Sequence, residues 1–408
     1  MKLGRLPTVL LFLAALSCGD ARAPAPAPRV PSAAAAEAEV EIVESAPVET
    51  TLDHADVRDA AEVWPAMVDR AKRSVVFGEF YASEAEGDAL ATSRLAPTLA
   101  AIERATRRGV AVRFLADLAM APKYPATLDR LRAAKAEVRT IDSAHRYGGV
   151  QHAKYLVVDE DESFVGSQNF DWRALAHIHE IGLRVRSAAI AGGLLDVFDT
   201  DWQLADPAAP ADARARGHVA TRPEAHAATG ESLALFASPK GWLPDESRWD
   251  LDRIVALLDG AKRSVAIQVL TFAAEMRDKS PFGTLDEAIR RAAGRGVAVR
   301  LLVSHWGANK NSGARRSIEA LSTVPNVTVQ VLTVPPWSGG EIPFARVAHA
   351  KYFVVDGRAA WVGTSNWDGD YFLRSRNVAI TIEGGAAPAR LARIFEDAWS
   401  SAYVAPLR

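Results

Sequence analysis

The sequence predicts an α/β protein built from two similar α/β/α sandwich halves that arose by internal duplication. Three short segments of the first half recur in the same order in the second half. Helical and strand-like segments also alternate in the same order within each copy. The chain has 408 residues, enough for two domains of ordinary size. We therefore expect two halves packed around a pseudo-twofold axis.

The duplication can be followed residue by residue. The repeated pairs are A-K-R-S-V at 71–75 and 261–265, R-G-V-A-V-R at 108–113 and 295–300, and H-A-K-Y at 152–155 and 349–352. Chance does not preserve both order and spacing in this way. A copy of about 150–170 residues is too long for a solenoid repeat, so each copy is expected to be a complete half of the fold.

Within each copy a helix is followed by a β-branched and aromatic strand, a second helix that ends at a glycine, and another apolar strand. The predicted ranges are 63–72, 75–81, 95–107 and 110–115 in the first copy and 251–262, 265–272, 285–293 and 297–303 in the second. Helices that alternate with buried strands predict a sheet covered on both faces.

The first 18 residues have the layout of an export signal. Lys2 and Arg5 give a positive start, and the apolar stretch 9–16 is too short to cross a membrane as a helix. Cys18 follows and is the only cysteine of the chain. This layout predicts a bacterial lipoprotein signal with Cys18 as the lipidated residue; a secretory signal with an incidental cysteine is the alternative. Either way the protein is expected to be exported.

Composition suggests where the domains begin and end. An Ala/Pro/Glu-rich stretch after the signal predicts a flexible tether, and a second Ala/Pro-rich stretch predicts a connection between the halves. The predicted segments are signal 1–18, tether 19–55, first half 56–204, connection 205–232 and second half 233–405. A formal net charge of −2 argues against a protein that coats nucleic acid through bulk charge.

The chemistry is concentrated in a motif that occurs twice. His152-x-Lys154-x₄-Asp159 is followed by G-S-Q-N at 166–169, and its twin at 349–356 is followed by G-T-S-N at 363–366. A His and a Lys two residues apart on a strand point to the same face. A second strand can return the Asn beside them. An imidazole, an ammonium and an amide that converge on one point suit a phosphate group.

These residues resemble the double motif of the phospholipase D superfamily over about 62–399 of the chain. The segments N-F-D-W-R-A-L at 169–175, I-P-F-A-R-V at 342–347 and G-T-S-N-W at 363–367 look like the branch of animal lysosomal phospholipase D-like exonucleases and poxvirus envelope phospholipases. The single cysteine departs from the disulfide-bonded animal members.

The resemblance implies one active site at the seam between the halves. One of the two histidines, His152 and His349, would attack phosphorus and become a phosphohistidine, while the other protonates the leaving oxygen. The residues expected to hold the phosphate oxygens are Lys154, Lys351, Asn169 and Asn366. The residues expected to support the motifs structurally are Asp159, Asp356, Ser167, Ser365 and Asn377. No metal and no other cofactor is expected.

An asymmetry between the copies suggests a role for each histidine. Glu180 lies eleven residues after Asn169, where members of the superfamily orient a histidine with a carboxylate, and Asn377 has the equivalent place in the second half. A carboxylate beside His152 would stabilise a phosphohistidine, and an amide beside His349 would leave that ring a readier proton donor. His152 is therefore expected to be the nucleophile and His349 the acid.

Two substrates are compatible with this chemistry. The first hypothesis is an exonuclease on single-stranded nucleic acid, and the alternative is a phospholipase D or transphosphatidylase on lipid head groups. A catalytically inactive binding module is disfavoured by two intact motifs. Because one chain carries both motifs, a monomer suffices to build the site, and dimerisation is not required.

Overall fold

The computed structural model describes residues 37–210, 223–310 and 312–407. The predicted signal 1–18, with Cys18, and residues 19–36 of the predicted tether lie outside these ranges. Among the described residues no helix is both long and apolar enough to span a membrane.

Each half contains a large mixed sheet with helices. The elements of the first half are β1 (Glu39–Ser45), β2 (Arg58–Asp59), α1 (Ala60–Arg70), β3 (Ser74–Gly78), β4 (Ala82–Ser83), α2 (Ala96–Arg107), β5 (Ala111–Asp117), α3 (Pro125–Ala133), β6 (Glu137–Ile141), α4 (Ser143–Tyr147), β7 (Tyr155–Val158), β8 (Glu162–Gly166), β9 (Phe170–Asp171), β10 (Glu180–Arg186) and α5 (Ala188–Leu204). The elements of the second half are β11 (Glu224–His226), β12 (Ser232–Ser238), α6 (Asp250–Gly260), β13 (Ser264–Val269), α7 (Thr284–Gly294), β14 (Ala298–Ser304), α8 (Gly313–Ser322), β15 (Val327–Leu332), β16 (Tyr352–Val355), β17 (Ala359–Gly363), α9 (Gly369–Leu373), β18 (Asn377–Glu383), α10 (Ala387–Trp399) and β19 (Val404–Pro406).

The strand orders confirm the predicted duplication. The first sheet runs β2-β1-β10-β8-β7-β3-β5-β6, and the second runs β11-β12-β18-β17-β16-β13-β14-β15-β19. The seven strands from β1 to β6 in the first order correspond one by one to the seven from β12 to β15 in the second. In both sheets the strand before the first crossover helix pairs in parallel with the strand after it, and antiparallel with the strand that follows the His-x-Lys motif.

The helices between these parallel strands end as the sequence predicts. After α2 and α7 the chain turns at Gly109 and Gly296, whose φ angles are +86° and +87°. A residue with a Cβ atom is strained in this left-handed conformation, so glycine is suited to stop the helix and direct the chain into the next strand. The β-branched strands β5 and β14 follow at once.

Three hydrophobic cores lie in layers. One core packs α1, α2 and α3 on the outer face of the first sheet, and another packs α6, α7 and α8 on the outer face of the second. The central core contains residues of both sheets together with α5 and α10. Since α5 and α10 each contact strands of both sheets, the halves share a buried central layer.

The predicted tether is wrong from Glu39 onward. Residues 39–45 form β1, which pairs antiparallel with the whole of β10. The E-V-E-I-V-E-S sequence places Val43 in the core, and its glutamates pair instead with Arg58, Arg184 and His54. Three acidic residues after an alanine-rich stretch concealed this alternation. The predicted connection 205–232 also contains β11, which joins the second sheet.

A buried ion pair joins the halves in the central layer. Asp201 on α5 accepts two hydrogen bonds of 2.8 Å from Arg376, which immediately precedes β18, and both side chains are fully buried. Arg376 also donates to the carbonyl oxygens of Ser238 and Trp242. Its backbone also holds the first motif in place. The Arg376 carbonyl accepts from the His152 amide, and the Arg376 amide donates to the Val150 carbonyl.

Asp201→Asn is expected to lower the free energy of unfolding by about 3–5 kcal/mol, because it leaves the Arg376 charge buried without its carboxylate. Denaturant unfolding followed by circular dichroism would measure this. Asp129→Asn is the matched control: Asp129 pairs with Arg132 at 2.8 Å on an exposed helix face, and this change is expected to cost less than about 1 kcal/mol. Equal effects of the two variants would contradict the prediction.

Candidate active site

Each His-x-Lys motif lies in the extended segment that leads into a buried strand. His152 and Lys154 precede β7, and His349 and Lys351 precede β16. Each ammonium turns back along the chain, so that Lys154 Nζ donates to the His152 carbonyl and Lys351 Nζ to the His349 carbonyl, both at 2.6 Å. All four side chains are buried. The two residue types therefore share one face, as their spacing predicts.

The two motifs meet at the seam through backbone pairing between the halves. Gln151 forms a parallel bridge with Arg376, and Ala348 forms the equivalent bridge with His179. The amide of His152 thus bonds the second half, and the amide of His349 bonds the first, at 2.9 and 2.8 Å. These reciprocal contacts place each imidazole beside the first residue of a strand in the opposite half.

As a result, the partner of each imidazole comes from the other half. Nδ1 of His152 lies 3.0 Å from Oδ1 of Asn377, and Nδ1 of His349 lies 2.9 Å from both carboxylate oxygens of Glu180. The prediction that Glu180 supports His152 and Asn377 supports His349 is therefore wrong. The duplication shows that positions 180 and 377 are equivalent, but it does not show that the halves exchange these residues across the seam.

Charged motif side chains of each half affect the pKa of the histidine in the other half. Burial, followed by the ammonium groups of Lys154 and of Lys351 in the other half, lowers the pKa of His152 well below its ordinary value. Burial also lowers the pKa of His349, with contributions from Lys351 and, across the seam, Lys154. At His349 the Glu180 carboxylate opposes burial by favouring the imidazolium. Of the two rings, His349 is therefore the one whose protonated form is favoured by a neighbouring carboxylate.

Burial also acts on the lysines. It lowers the pKa of Lys154 to about 7, against the opposing effect of the carboxylates of Glu79 and Glu180, and it lowers the pKa of Lys351 well below the ordinary value. Burying two ammonium groups is costly, and a bound anion would offset this cost by stabilising the charged form of both lysines. The site therefore favours an anionic ligand.

The asparagines flank the motifs as expected from their spacing. Asn169 and Asn366 are buried, and no described residue hydrogen-bonds the Oδ1 atom of either amide. Ser167 Oγ exchanges hydrogen bonds with the backbone of Ile181, and in the second half Thr364, rather than Ser365, occupies this place.

Ser365 and Thr364 have different partners. Ser365 Oγ lies 3.4 Å from Asp250 on the outer helix α6, whereas Thr364 Oγ1 donates to Asn377 Oδ1 at 3.0 Å. Thr364 thereby orients the amide that contacts His152. The offset between copies is constant at this point, so aligning G-S-Q-N with G-T-S-N position by position identifies Thr364 from sequence.

Asp159 and Asp356 lie at the far ends of the motif strands from the histidines. Asp159 accepts from the backbone amides of residues 72–74, and Asp356 accepts from those of residues 262–264. Both carboxylates therefore fix the turn that leads from the first helix of each half into β3 or β13.

The sequence H-I-H-E at 177–180 has no common ligand point. His177 packs between Trp172 and Trp337, His179 accepts at Nδ1 from Gln268 Nε2, and Glu180 contacts His349. Within the described ranges no group of three or more His, Cys, Asp or Glu side chains is arranged to hold a metal ion.

Two aromatic residues border His152, of which Tyr371 was not predicted from the sequence. The Tyr371 ring meets the His152 ring edge-on at 4.7 Å between centres, and the Phe80 ring lies 5.2 Å away. Glu79 is buried beside Lys154, and burial raises the pKa of this carboxyl well above its ordinary value. A charged residue directly after a buried strand was the available signal for Glu79, whose place in the second copy is taken by Val269.

Comparison with known proteins agrees with this geometry. Residues 56–335 match the family described as "PLD3/4, PLD-like domain". The chain is 29% identical to phospholipase D Z of Dictyostelium discoideum over 386 residues, covering 90% of both proteins. It is 30% identical to 5'-3' exonuclease PLD4 of Mus musculus over 406 residues, covering 90% of this chain and 79% of the mouse protein.

A solved structure shares the fold. Phosphatidylserine synthase from Haemophilus influenzae superimposes with a TM-score of 0.60 at 14% identity, covering 85% of each chain. The match to the family over most of the folded chain, together with the two motifs joined at the seam, shows that this protein belongs to the PLD3/4 branch of the phospholipase D-like family.

Proposed function

We propose that this phosphodiester hydrolase acts through a phosphohistidine on His152 and that its substrate is single-stranded nucleic acid, cleaved from an end. The observation that carries the mechanism is the unequal support of two imidazoles at one seam: a carboxylate at Nδ1 of His349 and an amide at Nδ1 of His152.

The unequal support prepares the two rings for different steps. Asn377 Oδ1 accepts a hydrogen bond from Nδ1–H of His152, which leaves the lone pair on Nε2 for attack. Glu180 stabilises the imidazolium of His349, whose Nε2–H can protonate the leaving oxygen. The roles are those expected from the sequence, but the reason is the reverse: the carboxylate supports the acid rather than the nucleophile.

The reaction has two steps, formation of the phosphohistidine and its hydrolysis. Nε2 of His152 forms a bond to phosphorus while the bond from phosphorus to the leaving oxygen breaks, and that oxygen takes the proton of His349. The neutral His349 then removes a proton from water, whose oxygen attacks phosphorus and releases His152. The Lys154 and Lys351 ammonium groups and the amides of Asn169 and Asn366 would hold the phosphoryl oxygens throughout both steps.

The family supports the nucleic-acid substrate, because its description names PLD3 and PLD4 and the mouse relative is named 5'-3' exonuclease PLD4. The second candidate is a phospholipase D, favoured by the name of the Dictyostelium relative, which matches over 90% of its length. A net charge of −2 favours neither a long polynucleotide track nor an anionic membrane surface.

The function is tested by incubating residues 37–408 with a single-stranded oligonucleotide and with phosphatidylcholine vesicles, each with and without EDTA. We expect oligonucleotide cleavage that persists in EDTA, because two lysines and an imidazolium supply the positive charge at phosphorus. His152→Asn is the control for contaminating nucleases. Cleavage of lipid alone would establish the second candidate, and activity lost to EDTA would contradict the mechanism.

We also propose that the protein is exported and anchored through a lipid on Cys18. The basic residues Lys2 and Arg5, the apolar stretch 9–16 and the cysteine that follows support this. Metabolic labelling with palmitate in a bacterial host should label the full chain and not its Cys18→Ser variant. Equal labelling of the two would exclude Cys18 as the site.

A further inference from the structure

The surroundings of the two histidines differ more than the motifs do. Tyr371 packs edge-on against His152, whereas the equivalent position in the first half is Ala174. Phe80 borders the same imidazole, and its place in the other half is taken by Leu270. The rings of Tyr371 and Phe80 therefore form an aromatic wall beside His152, and the equivalent positions of the other half hold no aromatic residue.

Arg277 lies on the outer side of this wall. It occupies an exposed turn between β13 and α7, and its Nη2 donates to the Tyr371 hydroxyl at 3.2 Å. The guanidinium carbon lies 5.4 Å from the centre of the Tyr371 ring. The amide of Asn366 faces the same hydroxyl, so one phenol oxygen separates Arg277 from a residue expected to bind phosphate.

Among the described residues, no carboxylate forms a salt bridge with the Arg277 guanidinium, although Asp368 and Asp370 lie near enough to stabilise its charge. Asp278, the next residue along the chain, and Asp370, across the turn, lie 2.9 and 3.5 Å from Arg374 instead. Asp370 also accepts the backbone amide of Arg277. Asp368 also faces the guanidinium, and burial raises the pKa of its carboxyl to about 7, so that at acidic pH this group is neutral.

The distance to the chemistry is short. The Tyr371 ring centre lies 5.4 Å from the guanidinium and 4.7 Å from the His152 ring centre, so the guanidinium is within about 10 Å of the imidazole. The phosphodiester next to the one attacked by His152 can extend this far along a single strand. A guanidinium and a phenol together suit such a phosphate, because both donate hydrogen bonds and the charge is delocalised over a planar fork.

We propose that Arg277, positioned by Tyr371, binds the phosphate adjacent to the scissile one and so selects polynucleotides over substrates with one phosphodiester. This inference rests on the proposed nuclease function and names the feature of the substrate that the site reads beyond the reacting group. A phospholipid such as phosphatidylcholine has no second phosphate to occupy the subsite.

The test compares a trinucleotide, which has two phosphates, with a dinucleoside monophosphate, which has one. For Arg277→Gln we expect kcat/KM on the trinucleotide to fall roughly 10- to 100-fold, the effect of losing a charge-assisted pair. On the dinucleoside monophosphate we expect a change within about twofold, because nothing occupies the subsite. The slope of log kcat/KM against log salt for the trinucleotide should decrease by roughly 0.7, the contribution of one phosphate contact on a single strand.

Two further variants and one modified substrate test whether the effect depends on the charge of Arg277 and on the adjacent phosphate. Arg277→Lys keeps the charge and should recover much of the trinucleotide activity. Arg358→Gln removes an exposed arginine from the turn between β16 and β17, beside Asp356 and far from the histidines, and should behave as the native protein on both substrates. A trinucleotide whose non-scissile phosphate is replaced by an uncharged methylphosphonate should be cleaved equally by native protein and Arg277→Gln.

Other outcomes overturn the inference. Equal loss on both substrates would mean that Arg277 acts only by holding Tyr371 against His152, and no loss on either would mean that no subsite exists. If native protein cleaves the trinucleotide, either result rejects the inference alone. If native protein cleaves neither nucleotide and hydrolyses phosphatidylcholine, both the inference and the proposed nuclease function are rejected.

Discussion

Replacement of His349 by Ala is expected to stop turnover while leaving a burst of one equivalent of product per protein molecule on a p-nitrophenyl ester of thymidine phosphate. The p-nitrophenolate ion leaves without protonation, so attack by His152 proceeds without the acid. Release of the phosphohistidine fails, because no base remains to activate water. On an oligonucleotide, whose leaving oxygen needs the proton, kcat should fall roughly 10²- to 10⁴-fold or more. Rapid-quench measurement of p-nitrophenol would show the burst.

His152→Ala is the reciprocal variant and should give no burst and no turnover, since nothing remains to attack phosphorus. Digestion of the trapped His349→Ala protein should place an alkali-stable phosphoryl group on the peptide containing residue 152. A burst from His152→Ala, with the label on the peptide containing residue 349, would reverse the two roles. The two variants make matched truncations at equivalent places in the duplicated fold, so differences in folding should be small.

Much of the fold could be predicted from the sequence because the duplication presents the same order of helices and strands in two different sequences. The helix–strand series that begins at α1 agrees with the predicted segments to within a few residues. The strands that begin the two equivalent seven-strand series, β1 and β12, were missed because they precede the repeated segments; β1 in addition alternates glutamate with apolar residues. Such edge-proximal strands are defined by pairing with β10 and β18, which is a long-range contact.

The site was predictable where it depends on spacing and not where it depends on contacts between halves. The His and Lys of each motif were found because a strand places alternate residues on one face. The exchange of Glu180 and Asn377 across the seam arises from parallel bridges between residues 225 and 169 positions apart in the chain, about which local pattern carries no information. Tyr371 lies in α9, and its equivalent in the first half is Ala174, so the duplication gave no second aromatic residue at this position. Arg277 lies in a turn whose length differs between the copies, so it has no equivalent residue in the first half.

The exchange makes a further prediction about pH. Glu180→Gln removes the carboxylate that favours the imidazolium of His349, so the pKa of this ring should fall. Activity requires His349 protonated and His152 neutral, and it is lost as pH rises through the pKa of His349. The alkaline limb of the kcat/KM profile should therefore move to lower pH in Glu180→Gln. At a fixed pH on that limb the loss should be roughly 10- to 100-fold, as for other residues that orient a reacting imidazole.

The acidic limb separates this account from a merely structural role of Glu180. That limb reports deprotonation of His152, whose Nδ1 partner is Asn377, so it should stay in place in Glu180→Gln. A double variant that exchanges the partners, Glu180→Asn with Asn377→Glu, should move the proton to His152 and with it the phosphoryl group to His349. Since the halves are equivalent at these positions, the exchanged protein retains one carboxylate and one amide at the seam. A phosphohistidine that remains at residue 152 after the exchange would mean that the walls around the rings, rather than their Nδ1 partners, decide which histidine attacks.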